Sequence, residues 1–174
     1  MLVGVVGAGA MGSGIAQVAA AAGHRVVIGD ANPGAVERAR ATVANALARL
    51  VEKKKLDTNT REAISDRIGW LESPLADDVS AFRECGVVIE AVVEELAVKQ
   101  ELFAKLDDAV APEAILATNT SSLSVASIAS ACERPERVIG IHFFNPAPVM
   151  PLVEIVPWLA TSPGVTTRAT ILVG

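Results

Sequence analysis

A glycine-rich run between an apolar segment and an alanine-rich segment constrains this chain more than any other feature. Leu2–Val6 is typical of a buried strand, and Met11–Ala22 is typical of a helix. Between them Gly7, Gly9 and Gly12 follow the spacing G-x-G-x-x-G. The glycines would allow a tight turn, a close backbone approach to a pyrophosphate and close packing of helix against strand. In this strand-turn-helix context the run predicts a dinucleotide-binding site.

The rest of the chain alternates between strand-like and helix-like segments. The apolar runs predict six further strands, at Arg25–Ile28, Ile68–Leu71, Val87–Glu90, Ile115–Thr118, Val138–His142 and Leu152–Val156. Helices are predicted at Pro33–Val51 with Asn32 as N-cap, and at Arg61–Arg67, Lys99–Val110 and Val125–Ala131. This alternation predicts an α/β fold of the Rossmann-like, doubly wound type, a mostly parallel sheet with helices on both faces.

The length of 174 residues suits one domain. We assign residues 1–160 to a dinucleotide-binding domain and residues 161–174 to the start of a further, helix-like element. That element stops in the apolar run Ile171–Val173, so we expect the sequence to be truncated before another domain.

Composition argues against several functions. A net charge of −5 disfavours a nucleic-acid surface, and no uninterrupted apolar run is long enough to predict a membrane span. Cys85 and Cys132 have neither metal-ligand spacing nor the number for a disulfide framework, so no metal site is predicted. Reduced cysteines and the absence of a signal-peptide pattern indicate a cytoplasmic protein.

Asp30 ends the second strand, 18 residues after Gly12. A carboxylate at this place accepts hydrogen bonds from a ribose 2′-hydroxyl and repels a 2′-phosphate, which predicts NAD rather than NADP. Ala10 and Met11 complete the predicted cofactor site with the three glycines, at the positive end of the first helix. The alternatives are a glycine turn without function and an FAD-binding domain, against which the second half of the chain argues.

A histidine and a glutamate stand out in that second half. His142 ends the sixth strand, and Glu154 follows twelve residues later in a Val/Ile-rich segment. Paired, they would form a general base in which the carboxylate orients the imidazole. The alternative, a core histidine bonded to a backbone carbonyl with Glu154 exposed on an edge strand, is equally compatible with the spacing.

Four blocks of the chain resemble the 3-hydroxyacyl-CoA dehydrogenase family. They are Gly7–Ala16 (GAGAMGSGIA), Glu90–Leu106 (EAVVEELAVKQELFAKL), Leu116–Ser124 (LATNTSSLS) and Gly140–Val156 (GIHFFNPAPVMPLVEIV). The resemblance covers almost the whole chain in family order. It implies oxidation of an L-3-hydroxyacyl-CoA to the 3-ketoacyl-CoA, with hydride transfer to NAD.

The resemblance also implies roles for individual residues. His142 would take the hydroxyl proton, Glu154 would orient His142, Ser121 would bind the substrate oxygen, and Asn145 would lie near the reacting centre and the nicotinamide. Glu94 and Lys99 would contact cofactor and substrate, and Lys54, in the run Lys53–Lys55, would bind the CoA phosphates. The alternatives are a turn cap for Ser121, a turn residue for Asn145 and solvated helix surfaces for Glu94, Lys99 and the lysine run.

In the family a helical C-terminal domain follows the NAD-binding domain, and this chain lacks it. The resemblance further implies a homodimer and a place in fatty-acid β-oxidation. A member specific for 3-hydroxybutyryl-CoA or 3-hydroxyadipyl-CoA and a non-catalytic NAD-binding protein of the same fold remain as alternatives. An upstream hydratase domain, as in bifunctional relatives, is disfavoured because the first strand begins directly after Met1.

Overall fold

Within the residues that the structure describes, seven strands, numbered along the chain, form a single sheet in the order 3-2-1-4-5-6-7. The computed structural model describes residues 1–75 and 78–174. Its strands are β1 (Leu2–Val6), β2 (Arg25–Gly29), β3 (Ile68–Trp70), β4 (Val87–Glu90), β5 (Ile115–Thr118), β6 (Val138–Phe143) and β7 (Val153–Val156). Strands β1 to β6 are parallel, and β7 runs antiparallel to β6. The predicted Rossmann-like, mostly parallel sheet is therefore confirmed.

In the described parts of the chain, six α-helices connect or follow the strands. They are α1 (Ala10–Ala21), α2 (Ala35–Glu52), α3 (Thr58–Asp66), α4 (Leu96–Ala109), α5 (Val125–Ala129) and α6 (Pro163–Val173), with short 3-10 turns at Ser80–Phe82 and Pro135–Arg137. Within the described residues, no helix is both long and apolar enough to cross a membrane.

The core has two layers because alternate residues of each strand face opposite sides of the sheet. In β4, Val87 and Ile89 pack with residues of α1, α2 and α6, whereas Val88 packs with residues of α4 and α5. Helices therefore cover both faces. The chain leaves β1 toward β2 on one side and later returns to β4 on the other, which creates the crevice where ligands bind in such sheets.

Some helix boundaries differ from the prediction. Asn32 was expected to cap α2, but the helix begins at Ala35 after Gly34, which lies at φ 72°. The Asn32 backbone and side-chain N–H groups donate instead to Asp30 Oδ1. The helix-like element expected within residues 161–174 is a helix that begins at Pro163, because the Ser162 hydroxyl accepts a hydrogen bond from Val165 N and caps it.

Candidate active site

The glycine turn between β1 and α1 has the geometry that a dinucleotide requires. Gly7 lies at φ 103°, and a Cβ there would be 2.5 Å from the Ala91 carbonyl oxygen. A Cβ at Gly12 would lie 1.8 Å from the Gly7 carbonyl oxygen, so no side chain fits. A Cβ at Gly9 would meet no atom within 4 Å, and no side chain caps α1 there. The turn therefore leaves backbone N–H groups open to an anion at the helix start.

Asp30 ties the end of β2 to this turn. Its Oδ2 accepts a hydrogen bond from Ala8 N at 2.7 Å, and its Oδ1 accepts one from Asn32 N at 2.7 Å. Together with Gly9, Ala10 and Met11, Asp30 lines a cavity of about 590 Å³. We call this cavity the dinucleotide cavity.

A second cavity of about 350 Å³ contains most of the predicted catalytic residues. We call it the catalytic cleft. It shares Met11, Ala91 and Val92 with the dinucleotide cavity, so the two adjoin. Its lining also includes Glu94, Lys99, Asn119, Ser121, His142 and Asn145.

His142 and Glu154 face each other across the last two strands. The antiparallel register pairs their Cα positions, and the His142 Nδ1 lies 2.9 Å from Glu154 Oε2. Of the two sequence interpretations, the structure therefore contains the paired one. Glu154 is nevertheless 53% exposed, because β7 is the edge strand, so its bond to His142 is not a consequence of burial.

The hydrogen bond fixes the protonation pattern of the imidazole. An ionised carboxylate only accepts hydrogen bonds, so in neutral His142 the proton is on Nδ1 and Nε2 carries the free lone pair. The Phe144 ring packs against the imidazole with its centroid at 4.7 Å. His142 can therefore act as a base through Nε2.

Ser121 lies in the loop between β5 and α5. Its backbone N–H donates to Glu94 Oε1 at 3.2 Å. Capping in this loop is performed by other residues: the Thr120 hydroxyl accepts from Leu123 N, and the Ser124 hydroxyl accepts from Ser127 N. The capping hydrogen bonds of this loop are therefore made by Thr120 and Ser124, and Ser121 lines the catalytic cleft.

A buried polar network underlies this loop. Lys99 Nζ lies 2.5 Å from Glu90 Oε1 and 3.1 Å from Glu94 Oε2, and its side chain is only 1% exposed. The interpretation of Lys99 as part of a solvated helix surface is therefore wrong. Glu90 is fully buried and also accepts hydrogen bonds from Val92 N and the Thr118 hydroxyl. The network joins the ends of β4 and β5 to the first turns of α4.

Glu94 is the member of this network that reaches the cleft surface. Partial burial alone would raise the pKa of Glu94, but hydrogen bonds from Thr120 and Lys99 and the charge of Lys99 lower it overall. Glu94 is therefore ionised at neutral pH. It holds the 120–122 loop through the Thr120 hydroxyl and through the backbone N–H groups of Ser121 and Ser122.

Sequence reasoning assigned no role to Glu90, Thr118 or Asn119. The available signal was a carboxylate at the end of an otherwise apolar strand, since a buried charge requires a partner.

Asn145 does line the cleft, in a turn where Val149 N donates to the Pro146 carbonyl. Lys54 lines neither cavity and lies at the exposed end of α2.

In residues 1–75 and 78–174, no group of three His, Cys, Asp or Glu side chains is arranged to hold a metal ion.

Fold and cavities together define a Rossmann-type dinucleotide-binding domain with a histidine–carboxylate pair beside the cofactor site. The family model for the 3-hydroxyacyl-CoA dehydrogenase NAD-binding domain matches residues 2–173. The chain belongs to this family, whose cofactor is NAD.

Curated relatives and solved structures agree with this assignment. A probable 3-hydroxybutyryl-CoA dehydrogenase of Deinococcus radiodurans is 43% identical over 162 residues, 93% of this chain and 56% of the relative. A 3-hydroxyadipyl-CoA dehydrogenase of Escherichia coli is 45% identical over 160 residues, 92% of this chain and 33% of the relative. The crystal structure of an E. coli 3-hydroxybutyryl-CoA dehydrogenase superposes with a TM-score of 0.94 at 42% identity, covering 99% of this chain and 36% of that one. The chain thus spans about half the length, or less, of the relatives that it matches.

Proposed function

We propose that this chain is the NAD-binding half of an L-3-hydroxyacyl-CoA dehydrogenase and carries its catalytic base. The observation that carries the proposal is the 2.9 Å contact between His142 Nδ1 and Glu154 Oε2 in a cleft that adjoins the dinucleotide cavity. Bound NAD supplies the hydride acceptor. Oxidation of an alcohol then requires a base for the hydroxyl proton and donors that hold the oxygen.

The residues of the cleft divide this work. His142 Nε2 takes the substrate hydroxyl proton, and Glu154 keeps the imidazole in the required tautomer and stabilises its protonated form. The Ser121 hydroxyl donates to the same substrate oxygen, and Asn145 binds beside the nicotinamide. Glu94 and Lys99 fix the loop that carries Ser121, and both line the wall that faces cofactor and substrate.

Cofactor preference follows from Asp30. Its carboxylate would accept a hydrogen bond from the 2′-hydroxyl of the adenosine ribose of NAD and would repel the 2′-phosphate that NADP carries there. Titration of the chain with NADH, followed by nicotinamide fluorescence, should give saturable binding, with at least tenfold weaker binding of NADPH. Asp30→Asn should narrow that difference, with circular dichroism as the check on folding. Equal affinities for NADH and NADPH in the unchanged chain would contradict the assignment.

The catalytic role is tested by turnover of acetoacetyl-CoA with NADH in the full-length natural protein that contains this sequence. His142→Ala should lower kcat by roughly 10²–10⁴-fold, the usual contribution of general acid–base catalysis. Glu154→Gln should lower it less, since Nδ1 keeps a hydrogen-bond acceptor. Activity that does not change in His142→Ala would favour the alternative of a non-catalytic NAD-binding protein.

Two acyl specificities have support among the relatives, which are named for 3-hydroxybutyryl-CoA and for 3-hydroxyadipyl-CoA. We favour the 3-hydroxybutyryl compound, because most of the similar relatives and the structurally similar E. coli protein are named for it. Comparing kcat/KM for the two thioesters decides between them. A higher value for the dicarboxylic substrate would overturn our preference.

The remaining assignments extend the same proposal to the whole protein. Lys54 would bind a CoA phosphate, a contact that salt should weaken. Leu152, Val156 and Leu159 are exposed apolar side chains before, in and after β7, a surface suited to the helical domain of the family. We further propose a homodimer that acts in the cytoplasm in fatty-acid β-oxidation. Sedimentation of the full-length protein and cell fractionation test these points.

A further inference from the structure

Asn119 lies at the point where the catalytic cleft meets the ends of three neighbouring strands. It directly follows β5, and its backbone N–H donates to the Glu90 carbonyl at the end of β4. Its side-chain Oδ1 accepts a 2.8 Å hydrogen bond from Phe143 N at the end of β6. Asn119 therefore joins β4, β5 and β6 at their carboxyl ends and lines the cleft beside His142.

The bond to Phe143 determines which way the amide points. A backbone N–H can only donate, so it must face Oδ1, and Nδ2 must take the opposite position on the planar amide. In the part of the chain that the structure describes, Nδ2 has no hydrogen-bond partner. Asn119 is half-buried, so the strand ends hold a fixed, unpaired N–H donor at the wall of the cleft.

We propose that Asn119 is a further binding residue of this site, whose Nδ2 donates a hydrogen bond to a carbonyl oxygen of a bound ligand. The inference rests on the proposed function, which brings two sources of carbonyl oxygen into the cleft: the carboxamide of the nicotinamide and the acyl group of the acyl-CoA. A donor that loses part of its water when the cleft fills is destabilised unless the ligand supplies an acceptor. His142 Nε2 and Glu94 already provide acceptors, and Asn119 adds a donor.

Two variants separate this role from the structural bond. Asn119→Asp keeps an oxygen that accepts from Phe143 N but replaces the donor with a second acceptor. Asn119→Ala removes both. Each variant is titrated with NADH, and with ADP-ribose, which has the same adenosine and pyrophosphate but no nicotinamide. The KM for acetoacetyl-CoA is measured in the full-length natural protein. Thermal unfolding by circular dichroism reports the structural bond.

We expect Asn119→Asp to unfold near the temperature of the unchanged chain and Asn119→Ala to unfold lower. Although its stability is retained, Asn119→Asp should bind the ligand whose carbonyl Asn119 contacts about tenfold or more weakly. This is the scale of one lost hydrogen bond plus the repulsion between two acceptors. Weaker NADH binding with unchanged ADP-ribose binding identifies the carboxamide. A raised KM for acetoacetyl-CoA with unchanged NADH binding identifies the acyl-CoA.

NADH affinity and KM that both match the unchanged protein in Asn119→Asp would overturn the inference and leave the proposed function standing. Equal losses of NADH and ADP-ribose affinity, with KM unchanged, would also overturn it, since the effect would then be one of charge on the shared half of the cofactor. A chain that binds no NADH before any substitution would overturn the proposed function, and the inference with it.

Discussion

The substitution Glu90→Gln tests how much the buried network beneath the 120–122 loop contributes to the free energy of unfolding. The Glu90 carboxylate is fully buried, lies 2.5 Å from Lys99 Nζ and accepts two further hydrogen bonds. Glutamine has nearly the same shape, so the change removes a charge without leaving a large cavity. Among the described residues, Lys99 then keeps only Glu94 as a counter-ion, 3.1 Å away and 39% exposed.

Breaking a buried ion pair from one side costs about 3–5 kcal/mol. Because Glu94 still partly compensates Lys99, we expect a loss near the lower end, about 3 kcal/mol. For a domain of this size that corresponds to a fall in Tm of roughly 6–12 °C. Since small domains have a free energy of unfolding of about 5–15 kcal/mol, the variant should remain folded at 25 °C.

Urea unfolding followed by far-UV circular dichroism measures the loss, and a double-mutant cycle assigns it. Lys99→Met should also destabilise, whereas the double variant Glu90→Gln/Lys99→Met should recover much of the loss, because it removes both buried charges and leaves neither partner of the ion pair uncompensated. Glu101→Gln is the matched control on the same helix. Glu101 is 69% exposed and bonds Lys105 at 2.7 Å, so its removal should cost under about 0.5 kcal/mol. A Glu90→Gln variant as stable as this control would refute the reasoning.

Three further predictions concern other parts of the fold. Asp107→Ala should lower the free energy of unfolding by roughly 3 kcal/mol or more, because it leaves the buried Arg137, 2.5 Å away, without its carboxylate partner. The control in the same urea experiment is Asp108→Ala, at an exposed position of the same helix. Burial raises the pKa of Cys85 and of Cys132 to about 12. At pH 8 both thiols should therefore react with iodoacetamide more than about a thousandfold slower than a peptide thiol, and mass spectrometry showing rapid native labelling would contradict this. Lys54, at φ 55°, takes the left-handed position that usually ends a helix with glycine, so Lys54→Gly should raise the free energy of unfolding by about 0.5–1 kcal/mol; a decrease would contradict it.

Sequence patterns predicted the seven strands of the described structure, because the buried parallel strands are short apolar runs and the antiparallel edge strand β7 is also built mainly from valine and isoleucine. Helix starts were less predictable, since they depend on which polar residue acts as the cap. Asp57 accepts from Thr60 N and starts α3 at Thr58, three residues before the predicted start at Arg61. Asn32 has the residue type of a cap, but its backbone and side-chain N–H groups donate to Asp30, and α2 begins only at Ala35.

The candidate site was predictable where its residues follow strand ends and was not where they act through one another. His142 is the last residue but one of β6 and Ser121 follows β5, and a parallel sheet brings the ends of such strands to one edge. The hydrogen bond between His142 and Glu154 depends on the register of β6 against β7. A shift of one residue would turn one of the two side chains to the other face of the sheet. The partners of Lys99 depend on how the first turn of α4 lies over the end of β4, which spacing along the chain does not report.

The network and the catalytic pair are supported by different parts of the fold. Glu90 and Lys99 are buried among β4, β5 and α4, whereas Glu154 lies on an edge strand and is 53% exposed. A buried pair is maintained by the packing around it, but an exposed pair depends on solvent and is worth little by itself. The orientation of His142 in this chain therefore rests on the β6–β7 register more than on the strength of its bond to Glu154. Anything that covers β7 and removes water from Glu154 would strengthen that bond, so the base should be better oriented when this surface is covered than when it is open.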